Sequence, residues 1–261
     1  MRVDIQFNQG AAGWPQMKEL VLAAEEAGFG TVWNLDHFSG AMFGNRSMGE
    51  CFTSLGAWAA VTTSVGLGSL VANVSNRSAG LLAVSAATVH NVSGGRFTLG
   101  LGAGAAPGSK WAAEQEALGI DLLPTMAERH DRLSGTVTEL RAILAPDRHE
   151  KYEGFPVTAT PVPIIVGANS VALAAYAGRE CDGVNVGWWN PRRGDFVRAA
   201  RDAAGAREFD VSVWDYFSPE MCDAGHPSNV GYASEGIDHT VLLVRGAPDP
   251  SVIAGCARYL G

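Results

Sequence analysis

The sequence predicts an α/β fold closed into a compact (β/α)8 TIM barrel, one domain over residues 1–261, and three observations carry that prediction. Strand-like and helix-like segments alternate along the chain, which implies parallel strands joined by crossover helices. Polar residues stand immediately after apolar strands at several points, and a parallel barrel collects such residues on one rim, at the strand C-termini. The third is length: 261 residues match one such barrel, roughly 250 residues as a rule.

The elements follow in order. Val3–Asn8 reads as a first strand, and Met17, Leu20, Val21 and Ala24 then recur at helical spacing up to Gly28. Thr31–Leu35 is a second strand and Glu50–Thr62 an alanine- and aromatic-rich helix. Val65–Val71, a helix over Ala79–Asn91 and a strand at Arg96–Leu101 come next. The longest helix runs from about Thr125 to Leu144, with Leu133, Val137, Leu140 and Leu144 as its apolar stripe. Residues 146–163 carry four prolines around Lys151-Tyr152-Glu153-Gly154-Phe155, which suggests a short hairpin excursion. Pro163–Val166, Val184–Val186, Val211–Phe217 and His239–Val244 supply the last four strands. Helices from Val171, over Arg192–Ala204 and over Asp249–Leu260 accompany them. Between Ser218 and Gly236 the chain is short and glycine-broken, so the region around the seventh helix is expected to be truncated.

Composition narrows the class. Apolar residues make up 47% of the chain, enough for a full core, and the net charge of −8 argues against nucleic acid and anionic membrane surfaces as partners. No apolar run approaches the length of a membrane span and no signal-like N-terminal pattern occurs, so a cytoplasmic location is expected. Cys51, Cys181, Cys222 and Cys256 are widely spread and read as buried thiols. No histidine or cysteine pair has metal-ligand spacing, so no metal is expected.

Chemistry gathers after the second, fourth, fifth and sixth strands. Asp36-His37 follows the second: histidine suits proton transfer near neutral pH and a carboxylate can orient it, although a hydrogen-bonded loop pair would read the same way. Gly102-Ala103-Gly104 ends the fourth, where glycines let a flat or anionic ligand approach the backbone. Gly167-Ala168-Asn169-Ser170 lies between the fifth strand and a helix start, with amides that could face a phosphate or simply be capped by Ser170. Trp188-Trp189-Asn190-Pro191-Arg192-Arg193 adds aromatic surface and two guanidinium groups. Only Lys18, Lys110 and Lys151 occur, none at a strand end, which counts against Schiff-base chemistry.

Taken together, these segments resemble the luciferase-like monooxygenase superfamily, which includes deazaflavin (coenzyme F420) oxidoreductases. The likeness rests on Trp33…Asp36-His37-Phe38, Val65-Gly66-Leu67-Gly68-Ser69-Leu70-Val71, Ser93-Gly94-Gly95-Arg96…Leu99-Gly100-Leu101-Gly102-Ala103-Gly104, and Pro163-Ile164-Ile165-Val166-Gly167. It runs from the N-terminus to about Val186 and returns weakly over 236–260. The resemblance implies a barrel binding a flavin or deazaflavin at the strand C-termini. Asp36 and His37 match the polar pair beside the reactive ring, and Leu70-Val71 matches a bulge, often with a non-prolyl cis peptide, that supports the ring from behind. Asn73 matches a polar position near the ring, and Gly102, Ala103 and Gly104 line its path. Gly167, Ala168, Asn169 and Ser170 match the phosphate-side loop, and Arg192 lies near a basic residue that meets the cofactor tail.

The chain departs from the pattern at three places. Ala105 stands where sugar-phosphate dehydrogenases of this kind carry a glutamate, Ser39-Gly40-Ala41 replaces a tryptophan, and the usual insertion before the eighth strand is largely missing. The first functional expectation is F420-dependent hydride transfer to or from a small organic substrate, with His37 as acid/base and Asp36 positioning it or hydrogen-bonding the ring. The alternatives are a monooxygenase using reduced FMN supplied by a separate reductase, and a non-catalytic cofactor-binding barrel. A homodimer is expected in each case.

Overall fold

The computed structural model describes residues 1–260, and its eight strands close into one parallel barrel in sequence order. The strands are β1 (Arg2–Gln6), β2 (Thr31–Asn34), β3 (Gly66–Asn73), β4 (Phe97–Gly102), β5 (Ile164–Gly167), β6 (Gly183–Gly187), β7 (Asp210–Tyr216) and β8 (His239–Leu243). Closure comes from β1 pairing with β8 from Arg2↔His239 to Gln6↔Leu243. The helices are α1 (Trp14–Ala27), α2 (Cys51–Val61), α3 (Ala79–Val92), α4 (Ala113–Ala117), α5 (Met126–Leu144), α6 (Val171–Glu180), α7 (Arg193–Ala204), α8 (Pro227–Ser234), α9 (Pro250–Ala254) and α10 (Ala257–Leu260). Local chemistry sets several starts: Thr125 and Glu128 form a capping box on α5, and the Ser78, Ser170 and Asp249 side chains cap α3, α6 and α9.

Inward-facing residues fill the barrel rather than leaving a pore. Trp33, Leu70, Ile165 and Val241 form an inner cluster, with the Trp33 ring against the backbone of Gly68 where a Cβ would collide. The remaining apolar side chains lie between strands and helices in a second, larger core. The β3–β4 register shifts between Ser69 and Ala72, and the Leu70–Val71 peptide within that bulge is cis, as the resemblance implied. All four cysteines are free and buried.

Some expectations need correction. Residues 146–163 form no hairpin; they hold a 3-10 turn at Glu150–Tyr152 within irregular chain. Prolines remove the amides a strand ladder needs, and Arg148 instead pins the segment by donating to the carbonyls of Phe155 and Pro156. The C-terminal helix is split into α9 and α10, and the short α4 was not foreseen. The β7–β8 connection is short as expected: a 3-10 turn, Pro219–Cys222, then α8 of 8 residues. Among the described residues no helix is long and apolar enough to cross a membrane.

Candidate active site

Parallel strands all end on the same rim, so Asp36, Gly104, Gly167 and Trp188, each at or just past a strand's C-terminal end, face one mouth, while Leu70 lies within β3 at its bulge, three residues before the strand ends. Asp36 and His37 are neighbours in sequence, but their side chains have different partners. Asp36 is buried and takes both prongs of the Arg77 guanidinium at 2.8 Å each. It also accepts from the Asn73 amide at 2.9 Å and from Asn76 Nδ2 at 3.1 Å. Arg77 pairs with Glu50 as well and lies 4.9 Å from the Phe52 ring centroid. Burial opposes the Arg77 charge, but Asp36 and Glu50 outweigh it and hold its pKa above the usual arginine value. Asp36 therefore ties the loop after β3 to the end of β2. It makes no hydrogen bond to His37, which corrects the expectation that it orients the imidazole.

That task falls to Glu114 on α4. Its Oε1 lies 2.7 Å from His37 Nδ1, and its Oε2 accepts from the amides of Phe38 and Ser39 at 2.9 Å each. Since a carboxylate only accepts, Nδ1 is the donor, and Nε2 is left for other chemistry. The Phe43 ring packs edge-on against the imidazole, with centroids 5.0 Å apart. Ala105 supplies no carboxylate here; the one beside His37 comes from Glu114, on a short helix further along the chain.

Two cavities meet at this histidine. A cleft of about 310 Å³ is lined by Asp36, His37, Val71, Asn73, Gly102, Ala103, Gly104, Gly167 and Asn169, together with Trp111 and Gln115 from around α4. A chamber of about 500 Å³ opens beside it over the ends of β1, β2, β7 and β8, walled by Leu70, Trp214, Tyr216 and Val244, with Asn8, Asn45 and Arg245 as polar groups. His37 and Trp111 line both. The cleft wall has little room for side chains: a Cβ on Gly102 would meet Val71 Cγ2 at 2.6 Å, and one on Gly104 would meet Asn73 Oδ1 at 2.8 Å. Gly104 also adopts φ +82°, which favours glycine.

Most of the expected residues converge here, but not all. Leu70 faces the chamber rather than the cleft. The Ala168 amide is spent on the Asn185 carbonyl at 2.9 Å and Ser170 Oγ caps the Leu173 amide at 3.1 Å, so Gly167 and Asn169 are the members of that loop that reach the cleft. Arg192 does not line it: its exposed guanidinium bonds Asp195 at 3.2 Å, at the start of α7. Trp188 stands beside the chamber, edge-on to Tyr216 with centroids 6.2 Å apart.

His239 lies far below, at the opposite end of the barrel, as the first residue of β8. Its ring is buried between Asp4 and Asp210, at 2.9 and 2.7 Å, with the Arg2 guanidinium 3.0 Å from Nε2. Burial would lower its pKa, but the two carboxylates outweigh burial and push it up to about 9. Glu114, Arg77 and Trp111 are the site residues the sequence did not reveal. The one available signal was an acidic pair, Glu114 and Glu116, in a short helical segment after the β4 glycines.

An eight-stranded parallel barrel with a histidine-bearing cleft at the strand C-termini defines an enzyme-type mouth of the kind such barrels carry. The luciferase-like monooxygenase family model matches residues 2–216, and the chain belongs to that family. It is 32% identical over 239 residues to a 5,10-methylenetetrahydromethanopterin reductase of Methanolobus tindarius, covering 87% of this chain and 66% of that protein. It is 29% identical over 179 residues to an F420-dependent glucose-6-phosphate dehydrogenase of Segniliparus rotundus, covering 64% of this chain and 51% of that one. The chain thus spans about half to two thirds of the length of these curated relatives. An F420-dependent secondary alcohol dehydrogenase, solved with an F420–acetone adduct, superposes with a TM-score of 0.77 at 17% identity, covering 99% of this chain and 98% of that one.

Proposed function

We propose that this chain is an oxidoreductase that uses coenzyme F420 as hydride carrier on a small organic substrate. The observation that carries this reading is the position of His37, held by buried Glu114 and shared between the glycine-walled cleft and the adjoining chamber. The F420-dependent relatives support the same cofactor.

The residues present fit a deazaflavin. Val71 and Ala103 offer apolar surface for a flat ring, and Asn73 and the Gly102–Gly104 backbone offer polar edges. Gly104 keeps the wall bare where a Cβ would press on Asn73. At the Gly167–Asn169 end, Asn169 and the Val171 and Ala172 amides that Ser170 leaves uncapped at the start of α6 provide donors for an anionic tail, where the helix dipole also favours negative charge. When bound, the deazaflavin supplies two-electron hydride chemistry.

The protein's share of the chemistry is proton handling and orientation. With Nδ1–H committed to Glu114, His37 Nε2 can give or take the proton that accompanies hydride movement. Asp36 acts at one remove, by fixing Arg77, Asn76 and the Asn73 amide at the cleft edge. Against the reading as a non-catalytic barrel stands Glu114, a buried carboxylate placed against His37 although Ala105 carries none.

Anaerobic incubation with reduced F420 and a panel of ketones, aldehydes and conjugated acids tests this. The expected outcome is oxidation of the deazaflavin without O₂. Consumption of reduced FMN only together with O₂ would instead favour the monooxygenase alternative and its separate reductase. A homodimer and a cytoplasmic location belong to the same proposal. Exposed Leu81 and Val92 on α3 support the dimer, which sedimentation checks directly.

A further inference from the structure

We propose that the chamber beside His37 takes a flat, mostly apolar organic monoanion, whose acid group is held by Arg245. This rests on the reading above only in treating the chamber as the substrate side of the site.

The walls set the first requirement. Trp111, Trp214, Tyr216 and Phe43 present aromatic surface, and Leu70 and Val244 fill between them. Trp214 and Tyr216 pack edge-on at 5.2 Å, and the Trp214 indole donates to Gln6 Oε1 at 2.5 Å, so this wall is held in place. Gln6 in turn donates to the Leu70 carbonyl at 2.5 Å, which ties the wall to the floor of the chamber. A planar hydrocarbon body suits fixed aromatic surfaces of this kind.

The polar groups set the second. The lining contains no carboxylate. Asn8 Oδ1 is already committed to the Gly10 amide at 2.9 Å, so its remaining offer is an N–H group. Asn45 Nδ2 is buried without an acceptor. Arg245 lies 3.6 Å over the Tyr216 ring and, among the described residues, has no acidic partner, whereas Arg77, Arg192 and Arg193 are each paired with a carboxylate. An apolar chamber that holds amide N–H donors, one unpaired cation and no carboxylate favours a ligand carrying oxygen acceptors and negative charge. The stacked guanidinium is restrained by Tyr216, so less side-chain freedom is lost when it binds an anion.

The test uses cinnamate and its neutral analogue cinnamyl alcohol as probes. Their binding to the cofactor-free protein is followed by tryptophan fluorescence, since Trp111 and Trp214 line the chamber. Wild-type protein is expected to bind cinnamate about tenfold more tightly than the alcohol, as a charge-assisted hydrogen bond allows. Arg245→Gln should erase that preference while leaving the alcohol's affinity unchanged. Asn45→Asp should weaken cinnamate selectively. Equal binding of the two probes by wild type, or an unchanged preference in Arg245→Gln, would overturn the proposal. F420 titrations of the same proteins form a separate arm: Arg245→Gln should bind F420 as wild type does, because Arg245 lies outside the cleft lining. A loss of F420 binding in that variant would assign Arg245 to the cofactor and also overturn the proposal. Failure of wild type to bind F420 bears on the cofactor reading alone.

Discussion

His37 and Glu114, 77 positions apart in the chain, meet through an Nδ1–Oε1 contact of 2.7 Å, and this pair joins the mouth of β2 to the short helix after β4. The second oxygen of Glu114 binds the Phe38 and Ser39 amides, so the carboxylate fixes both the ring and the backbone that carries it.

His37→Ala should therefore lower turnover by about 10²–10⁴-fold, the usual worth of general acid–base catalysis. F420 affinity should change little, because most of the cleft lining is backbone and apolar surface. The comparison is the turnover rate against the F420 dissociation constant. Equal losses in both would make His37 a binding residue instead.

Glu114→Gln should cost turnover less than His37→Ala, and it should also cost stability. An amide has one acceptor oxygen for the three donors at His37, Phe38 and Ser39, so either a donor is left unpaired or the His37 ring is forced into its other tautomer, and loss of the charge-assisted contacts costs about 1–2 kcal/mol. Urea unfolding of the variant alongside His37→Ala separates the two effects. A Glu114→Gln protein as stable as wild type would show that the amides of Phe38 and Ser39 do not depend on it.

Asp36→Ala should be the most destabilising change at the site. Arg77 is only 8% exposed at its side chain and would keep Glu50 as its sole carboxylate partner. Breaking a buried pair by removing one partner costs about 3–5 kcal/mol. The Asn73 amide and Asn76 would lose their acceptor too, so F420 affinity should fall with stability. Chemical denaturation and an F420 titration of the same preparation read both.

The buried cluster around His239 gives the protein a pH dependence remote from the mouth. With a folded pKa of about 9 against an ordinary 6.5, the native state holds more protons between those values. The stabilisation is fully present below about 6.5 and declines as pH rises through 9. His239→Gln should flatten that decline in unfolding curves recorded from neutral to alkaline pH. A decline of equal slope in the variant would place the titrating group elsewhere.

Gly104→Val tests the cleft wall. The position has φ +82°, and a Cβ would lie 2.8 Å from Asn73 Oδ1 and 2.9 Å from Ser75 Oγ. A β-branched residue there should cost about 1–2 kcal/mol from the left-handed backbone alone. The larger effect should be on F420 affinity, because the added methyls enter the cleft.

The barrel was legible because its cause is local. Alternating periodicity and strand-end glycines report element type, and the Thr125 and Ser170 caps placed α5 and α6 to within a residue. The site was only half legible. Asp36, His37 and the β4 and β5 glycines sit at strand ends, where sequence position alone determines the rim they face. Their partners are another matter. Adjacent residues at a strand end point in different directions, so Asp36 and His37 reached Arg77 and Glu114 instead of each other. Glu114 rides on a five-residue helix, too short for periodicity to reveal. Arg192 differs again: a basic residue after a strand suggested an anion contact, but its exposed side chain lies outside the cleft lining and pairs with Asp195 one turn on. Arg192→Ala is accordingly expected to leave F420 affinity unchanged.

The most direct test of the central claim is an equilibrium titration of the protein with oxidised F420 and, separately, with FMN, each followed by the ligand's own fluorescence. The account predicts saturable binding of one F420 per chain, tighter than FMN and weakened by Gly104→Val. Absence of F420 binding, or a clear preference for FMN, would contradict it.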